Sequence, residues 1–293
     1  MNKISDKNLK TIVYTVAALI AFAANSVLGR MALKDSAIDA SSFTAIRLVS
    51  GAVMLFVLYI LFNMKSKKQN NTQLTKGGSW KAALMLFTYA ITFSLAYVSL
   101  DTGTGALVLF GAVQLTMIIA SIISGNKLHK TEWIGIIVSF SGLAYLIYPT
   151  VTTPSVFGFV LMGISGVAWG IYTLTGRGSI TPLRDTTVNF SYTIPFVVIL
   201  AFVMFPHIQI STEGIILAIL SGAAASALGY TLWYIALAGL SATEAAVVQL
   251  SVPVIASIGG VIFLSESVTM RLIIACALVL GGIATVIIGR NKV

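Results

Sequence analysis

The chain is 293 residues long, 57% hydrophobic and only 9% charged, whereas an ordinary soluble domain carries roughly 25% charged residues. That balance excludes a water-soluble globule, and the single cysteine, Cys276, excludes a disulfide framework or a cysteine-built metal site. A net charge of +9 would suggest nucleic acid in a soluble protein, but here the basic residues sit in breaks between apolar stretches, so no nucleic-acid partner is implied.

A polar tail, 1–10, leads into the first apolar stretch, 11–33, which is too long for a signal-peptide core. Further stretches follow at 41–64, 80–100, 104–124, 132–148, 155–175, 187–206, 213–236, 243–264 and 270–289. A helix of about 20 apolar residues crosses a hydrocarbon core of ~30 Å, so the pattern predicts ten transmembrane helices. The fifth and sixth are separated by a tight, uncharged turn between Pro149 and Pro154. Ser241-Ala242-Thr243-Glu244 has the spacing of a capping box opening the ninth.

Alternate connections collect the positive charge. Lys3, Lys7, Lys10, Lys65, Lys67, Lys68, Lys76, Lys81, Lys127, Lys130, Arg177, Arg184, Arg290 and Lys292 fall on one side, against Arg30, Lys34 and Arg271 on the other. Positive loops stay cytoplasmic, which predicts cytoplasmic termini and an even number of spans in a bacterial inner membrane.

The chain also reads as two copies of one unit. Leu95-Ala96-Tyr97-Val98-Ser99-Leu100 closes helix 3 as Leu232-Trp233-Tyr234-Ile235-Ala236-Leu237 closes helix 8. Gly142-Leu143-Ala144 is echoed by Gly282-Ile283-Ala284, and Phe22-Ala23 with Arg30 by Trp169-Gly170 with Arg177. With five spans in each of 11–148 and 155–289, the second copy must lie upside down relative to the first, the inverted-repeat plan of many secondary transporters.

These residues resemble the drug/metabolite transporter superfamily, specifically its ten-helix EamA-type members. The resemblance is carried by Ala23-Ala24-Asn25-Ser26-Val27-Leu28-Gly29-Arg30, Phe43-Thr44-Ala45-Ile46-Arg47-Leu48, Ala96-Tyr97-Val98-Ser99-Leu100, and Val252-Pro253-Val254 followed by Leu264-Ser265-Glu266. It implies an all-α membrane protein of two inverted five-helix repeats that carries a small organic metabolite, with export the commoner direction. The family pattern of Gly-Glu after the fourth helix of each unit is kept approximately as Ser265-Glu266 but replaced by Gly125-Asn126 in the first unit.

Polar groups inside the spans are candidates for the substrate path. Asn25, Gln114 and Gln249 either bond helices together or line a shared cavity. Tyr97, Trp169, Tyr172 and Tyr234 offer aromatic surface with a polar handle; Trp169 and Tyr172 share one face of helix 6, as do the small residues Gly166 and Gly170. Arg47 lies two turns inside helix 2, where a charge costs about 2.5–3.5 kcal/mol on insertion scales. It either snorkels to the headgroups or pairs with Asp101, Asp39 or Asp35; with Asp101 and Glu266 it is a candidate gate or ion pair. Pro195 and Pro253 are expected to kink helices 7 and 9.

No Asp, Glu or His lies deep in a span, which disfavours proton coupling through a central carboxylate. There is no Walker loop, no H-E-x-x-H pair and no paired catalytic carboxylates, and the two histidines, His129 and His207, fall on opposite sides. An enzyme, a catalytic metal and a cofactor are not indicated. A flippase for lipids or lipid-linked substrates, and a membrane-embedded enzyme, remain as alternatives. Whether the chain acts as a monomer or a homodimer is not written in it.

Overall fold

The computed structural model describes residues 2–65, 77–125, 130–147, 155–240, 245, 248–249 and 251–290. The turn between Pro149 and Pro154, the capping-box residues 241–244, Asn126, His129 and the lysines at 67, 68, 76 and 127 lie outside them. Among the described residues the fold is helical apart from one antiparallel bridge between Ile38 and Ile210.

The helices are α1 (Asn2–Lys34), α2 (Ala40–Lys65), α3 (Trp80–Tyr97), α4 (Thr102–Ile123), α5 (Lys130–Ile147), α6 (Val156–Gly176), α7 (Pro182–Met204), α8 (Thr212–Leu237), α9 (Ser251–Leu264) and α10 (Met270–Arg290). Among the described residues, six (α1, α2, α4, α6, α7 and α8) are long and apolar enough to cross a membrane; α9 and Met270–Gly282 of α10 are shorter apolar helices. The first helix runs through the residues read from sequence as a tail. Starts are set by local chemistry. Ser79, Ser155 and Ser211 accept hydrogen bonds from Ala82 N, Gly158 N and Gly214 N, and Pro182 occupies the first turn of α7, where its missing N–H costs nothing.

The polarity of the bundle is inverted relative to a soluble protein. Phe56, Phe62, Phe202, Ile262 and Phe263 are exposed, while Asn25, Arg47, Gln114, Asn189 and Gln249 are buried. Bare backbone cannot face hydrocarbon, so regular helices carry the apolar exterior and the polar side chains turn inward.

Helix pairings repeat when five is added to each helix number. α3 packs on α6 as α8 packs on α1, α4 on α6 as α9 on α1, and α2 on α8 as α7 on α3. The pairs α2–α7, α4–α9 and α5–α10 map onto themselves. Small residues form the seams. A Cβ on Gly166 would lie 2.3 Å from the Leu109 carbonyl oxygen, and Ser139 on α5 donates to Val279 O of α10 at 3.2 Å.

Pro195 lies inside α7, and Pro253 is the third residue of α9 as described, with the helical residues Ala245 and Val248 upstream of it.

Candidate functional site

Within α8 the segment Leu220–Leu228 is a π-helix. Residues five apart diverge by roughly 140° around an α-helix, whereas the wider π turn stacks them. Ser221 and Ser226 therefore face one partner, donating to Asn25 Oδ1 at 2.7 and 3.3 Å. On the α2 side of the same segment a Cβ on Gly222 would lie 2.1 Å from Arg47 O, so only glycine lets α2 and α8 touch there.

Arg47 reaches into this junction and is 1% exposed. Its Nε donates to Ser226 Oγ at 3.0 Å and its Nη2 donates to Tyr89 Oη at 2.9 Å and Tyr230 Oη at 2.7 Å. The guanidinium carbon sits 4.7 Å from the Phe93 ring centroid and 5.1 Å from that of Tyr89. The two tyrosine hydroxyls share a hydrogen bond at 3.1 Å, and Asn25 Nδ2 donates to Tyr230 Oη at 3.4 Å. Arg47 thus neither snorkels nor meets Asp101, Asp39 or Asp35, because its side chain turns into the bundle rather than along it.

Aromatic rings continue from this cluster toward both ends. Tyr97 lies 4.6 Å from Phe93, Phe93 5.5 Å from Tyr89, Tyr89 5.0 Å from Trp169, Trp169 5.3 Å from Tyr172, and Tyr172 5.4 Å from Tyr234. Phe22 joins Trp169 at 5.3 Å, and Trp169 Nε1 donates to Gln249 Oε1 at 3.2 Å. A cavity of about 10 Å³ remains among Phe22, Ser26, Tyr89, Phe93, Leu109, Phe110 and Trp169, room for about one water.

At one end of the column sits a charged clasp. The sequence offers Arg47 as one candidate partner of Asp101; the structure gives Asp101 Arg30, whose Nη2 is 3.2 Å from Asp101 Oδ1 and whose Nε is 3.5 Å from Glu266 Oε1. Arg30 Nη1 also donates to the carbonyls of Tyr97 and Val98 at 2.9 and 3.1 Å. Glu266 is aimed by the left-handed turn at Ser265 (φ 53°) and accepts from Thr102 N at 3.1 and 3.0 Å and from Thr102 Oγ1 at 3.0 Å. One carboxylate thereby ties α1 to α4 and to the end of α9.

Asn25, Trp169, Tyr172, Tyr234 and Gln249 are thus linked through one another or through Tyr230, and Tyr97 joins by way of Phe93. Gln114 is buried on α4. Ser221, Ser226 and Arg30 were not singled out as site residues from sequence. The small-residue run Ser221-Gly222-Ala223-Ala224-Ala225-Ser226 was the available signal for the first two.

The model of the EamA-like transporter family matches twice, at residues 9–148 and 156–288. The chain belongs to the EamA-like transporter family. A similar protein is an uncharacterized protein of Pseudomonas aeruginosa, 46% identical over 281 residues, covering 96% of each chain. An uncharacterized transporter of Archaeoglobus fulgidus is 26% identical over 68% of this chain and 72% of its own. The uncharacterized transporter YoaV of Bacillus subtilis is 21% identical over 86% of this chain and 89% of its own. A solved crystal structure superposes with a TM-score of 0.64 at 17% identity, covering 95% of this chain and 98% of that one, which shows a shared fold. This EamA-family chain is accordingly a multi-pass membrane transporter rather than an enzyme. The π segment, the Arg47 cluster and the Arg30 clasp draw on residues of both family matches.

Proposed function

We propose that the chain is a secondary transporter of ten spans in two inverted repeats, 11–148 and 155–289, that moves a small organic metabolite across the inner membrane by alternating access. Export is the proposed direction, with both termini cytoplasmic. The observation that carries this reading is the convergence of buried polar and aromatic groups from both family matches, Asn25, Arg47 and Tyr89 with Trp169, Ser226 and Tyr230, inside an apolar shell. A scaffold has no need of such an interior, and transporters of inverted repeats bind substrate where the repeats meet. Asn25, Tyr97, Gln114, Trp169, Tyr172, Tyr234 and Gln249 line the proposed path. Arg47 belongs to its centre, and Asp101 and Glu266, with Arg30, form the outer gate.

The test is counterflow in liposomes: purified protein is reconstituted with one unlabelled metabolite inside, and entry of the labelled form is followed across a panel of amino acids, amines, sugars and organic acids. Saturable entry dependent on the trapped metabolite is expected for one class, and its absence for the whole panel would remove the reading. A lipid-moving alternative draws on one observation. An apolar groove of about 340 Å³ along α9 and α10, lined by Val254, Ile258, Val261 and Leu272, shares Val261 and Leu272 with a small pocket at Asp101 and Glu266. Protein-dependent exchange of a fluorescent lipid between leaflets, without metabolite counterflow, would favour it.

A further inference from the structure

Arg47 is a buried cation that pairs with no carboxylate among the described residues. Of the carboxylates near its end of the bundle, Asp101 and Glu266 hold Arg30, Asp39 accepts from the backbone N–H groups of Ser41, Ser42 and Gln209, and Asp35 is exposed at the surface. What surrounds the guanidinium is hydroxyl groups and rings, and its Nη1 has no hydrogen-bond partner although it is buried. A guanidinium presents five N–H donors and accepts nothing. The neighbouring Asn25 adds amide donors, while its one carbonyl oxygen is already shared by Ser221 and Ser226. The junction is therefore rich in donors and short of acceptors.

A charge removed from water without a counter-ion is costly, and nothing about the packing of α2 against α8 demands it, since Gly222 and Gly51 let the two backbones meet without the Arg47 side chain. The missing component is an anion. From this proposed transport reading, and resting on it, we infer that the transported substrate is an organic anion whose carboxylate or equivalent group binds Arg47, with its apolar body among Phe22, Phe93, Phe110 and Trp169.

Two oxygens of one carboxylate match the Nη1 and Nη2 fork. The acceptors now on Nη2 are the hydroxyls of Tyr89 and Tyr230, which turn to become donors to the same anion when it enters. Tyr89 and Phe93 are shared between the guanidinium and the small cavity beside Phe22, Phe110 and Trp169, so head and body sites adjoin. That cavity holds about one water at present. Substrate-bound protein accordingly has these rings moved apart, as an occluded state opening to one side requires.

Three probes of one shape and different charge separate the possibilities. Benzoate, benzamide and benzamidine are titrated calorimetrically into the purified full-length protein in detergent. The expected result is benzoate binding at least tenfold tighter than either isostere, with R47Q losing that preference and R47K keeping more of it than R47Q. Benzamide or benzamidine binding as tightly as benzoate, no benzoate binding at millimolar concentrations, or undiminished benzoate binding by a monodisperse R47Q overturns the inference. If R47Q does not fold, the charge series on the wild-type protein still decides. Counterflow is read separately: counterflow of a cationic or neutral metabolite would leave transport standing and remove the anion. Benzoate binding without counterflow of any metabolite would do the reverse.

Discussion

At the end of the bundle where α1 finishes, Arg30 is gripped by Asp101 and Glu266, with side-chain exposures of 9% for Arg30 and 11% for Glu266. At the opposite end, where α6 finishes, the matching Arg177 is exposed, and closure falls to Tyr234, which packs against Gly176 and donates to Tyr172 O at 3.4 Å. Tyr97 and Tyr234 occupy equivalent places in the two halves, and each hydroxyl ends on a backbone carbonyl, Thr102 O at 3.3 Å in the first case. The scaffold is shared and the locks differ. On the proposed alternating-access reading, unlike locks let a single event act on one end alone.

The sharpest way to break this comparison is to remove the acid. Glu266→Ala leaves Arg30 without one partner and uncovers Thr102 N, and loss of one member of a buried pair is expected to cost about 3–5 kcal/mol, read as chemical unfolding in detergent. Equal losses from Glu266→Ala and Arg177→Ala would show that the ends do not differ. Next comes packing. A Cβ on Gly176 would meet the Tyr234 ring at 2.1 Å, whereas one on Gly29 meets the edge of Phe93 at 2.9 Å. Overpacking costs about 1–3 kcal/mol, so Gly176→Ala is expected near the top of that range and Gly29→Ala near the bottom, by the same measurement.

A smaller effect concerns the cap of α2. Burial works to raise the Asp39 carboxyl, but hydrogen bonds from Ser42, Gln209 and Ser41 outweigh it and hold the group below the usual carboxylate value. A carboxyl lowered by folding stabilises above its unfolded value of about 3.9 and loses that contribution as pH falls through the folded value. Asp39→Ala should cost about 1 kcal/mol at neutral pH, and the gap to wild type should shrink on acidification below the unfolded value; a gap constant with pH would mean the charge plays no part. Smallest of all, Arg177→Ala should change stability by no more than about 0.5 kcal/mol.

Much of the scaffold was legible because a bilayer leaves few options. Apolar stretches near the observed α1, α2, α6 and α8, the shared face of Trp169 and Tyr172, and the Gly166–Gly170 seam all follow from local periodicity. Partnership was not legible. Arg47 and Arg30 are both arginines near the same end, and only the three-dimensional junction of α2 with α8 turns one inward while the loop after α9 delivers Glu266 to the other. The π segment eluded the sequence for a related reason. Its run of small residues suits an ordinary helix equally well, and what favours the wider turn is the set of partners across the gap, Asn25 and Arg47, more than 170 residues away in the chain.

The column of rings from Tyr97 to Tyr234 has a consequence for the membrane as a whole. Protons hop along connected waters, and a cell that stores energy as a proton gradient is drained by any protein that holds a continuous file of them. Among Phe22, Phe93, Phe110 and Trp169 the described residues leave room for about one water, too little at that point for a file of them. On the proposed transport reading, that constriction is what would keep many copies from discharging an energised membrane.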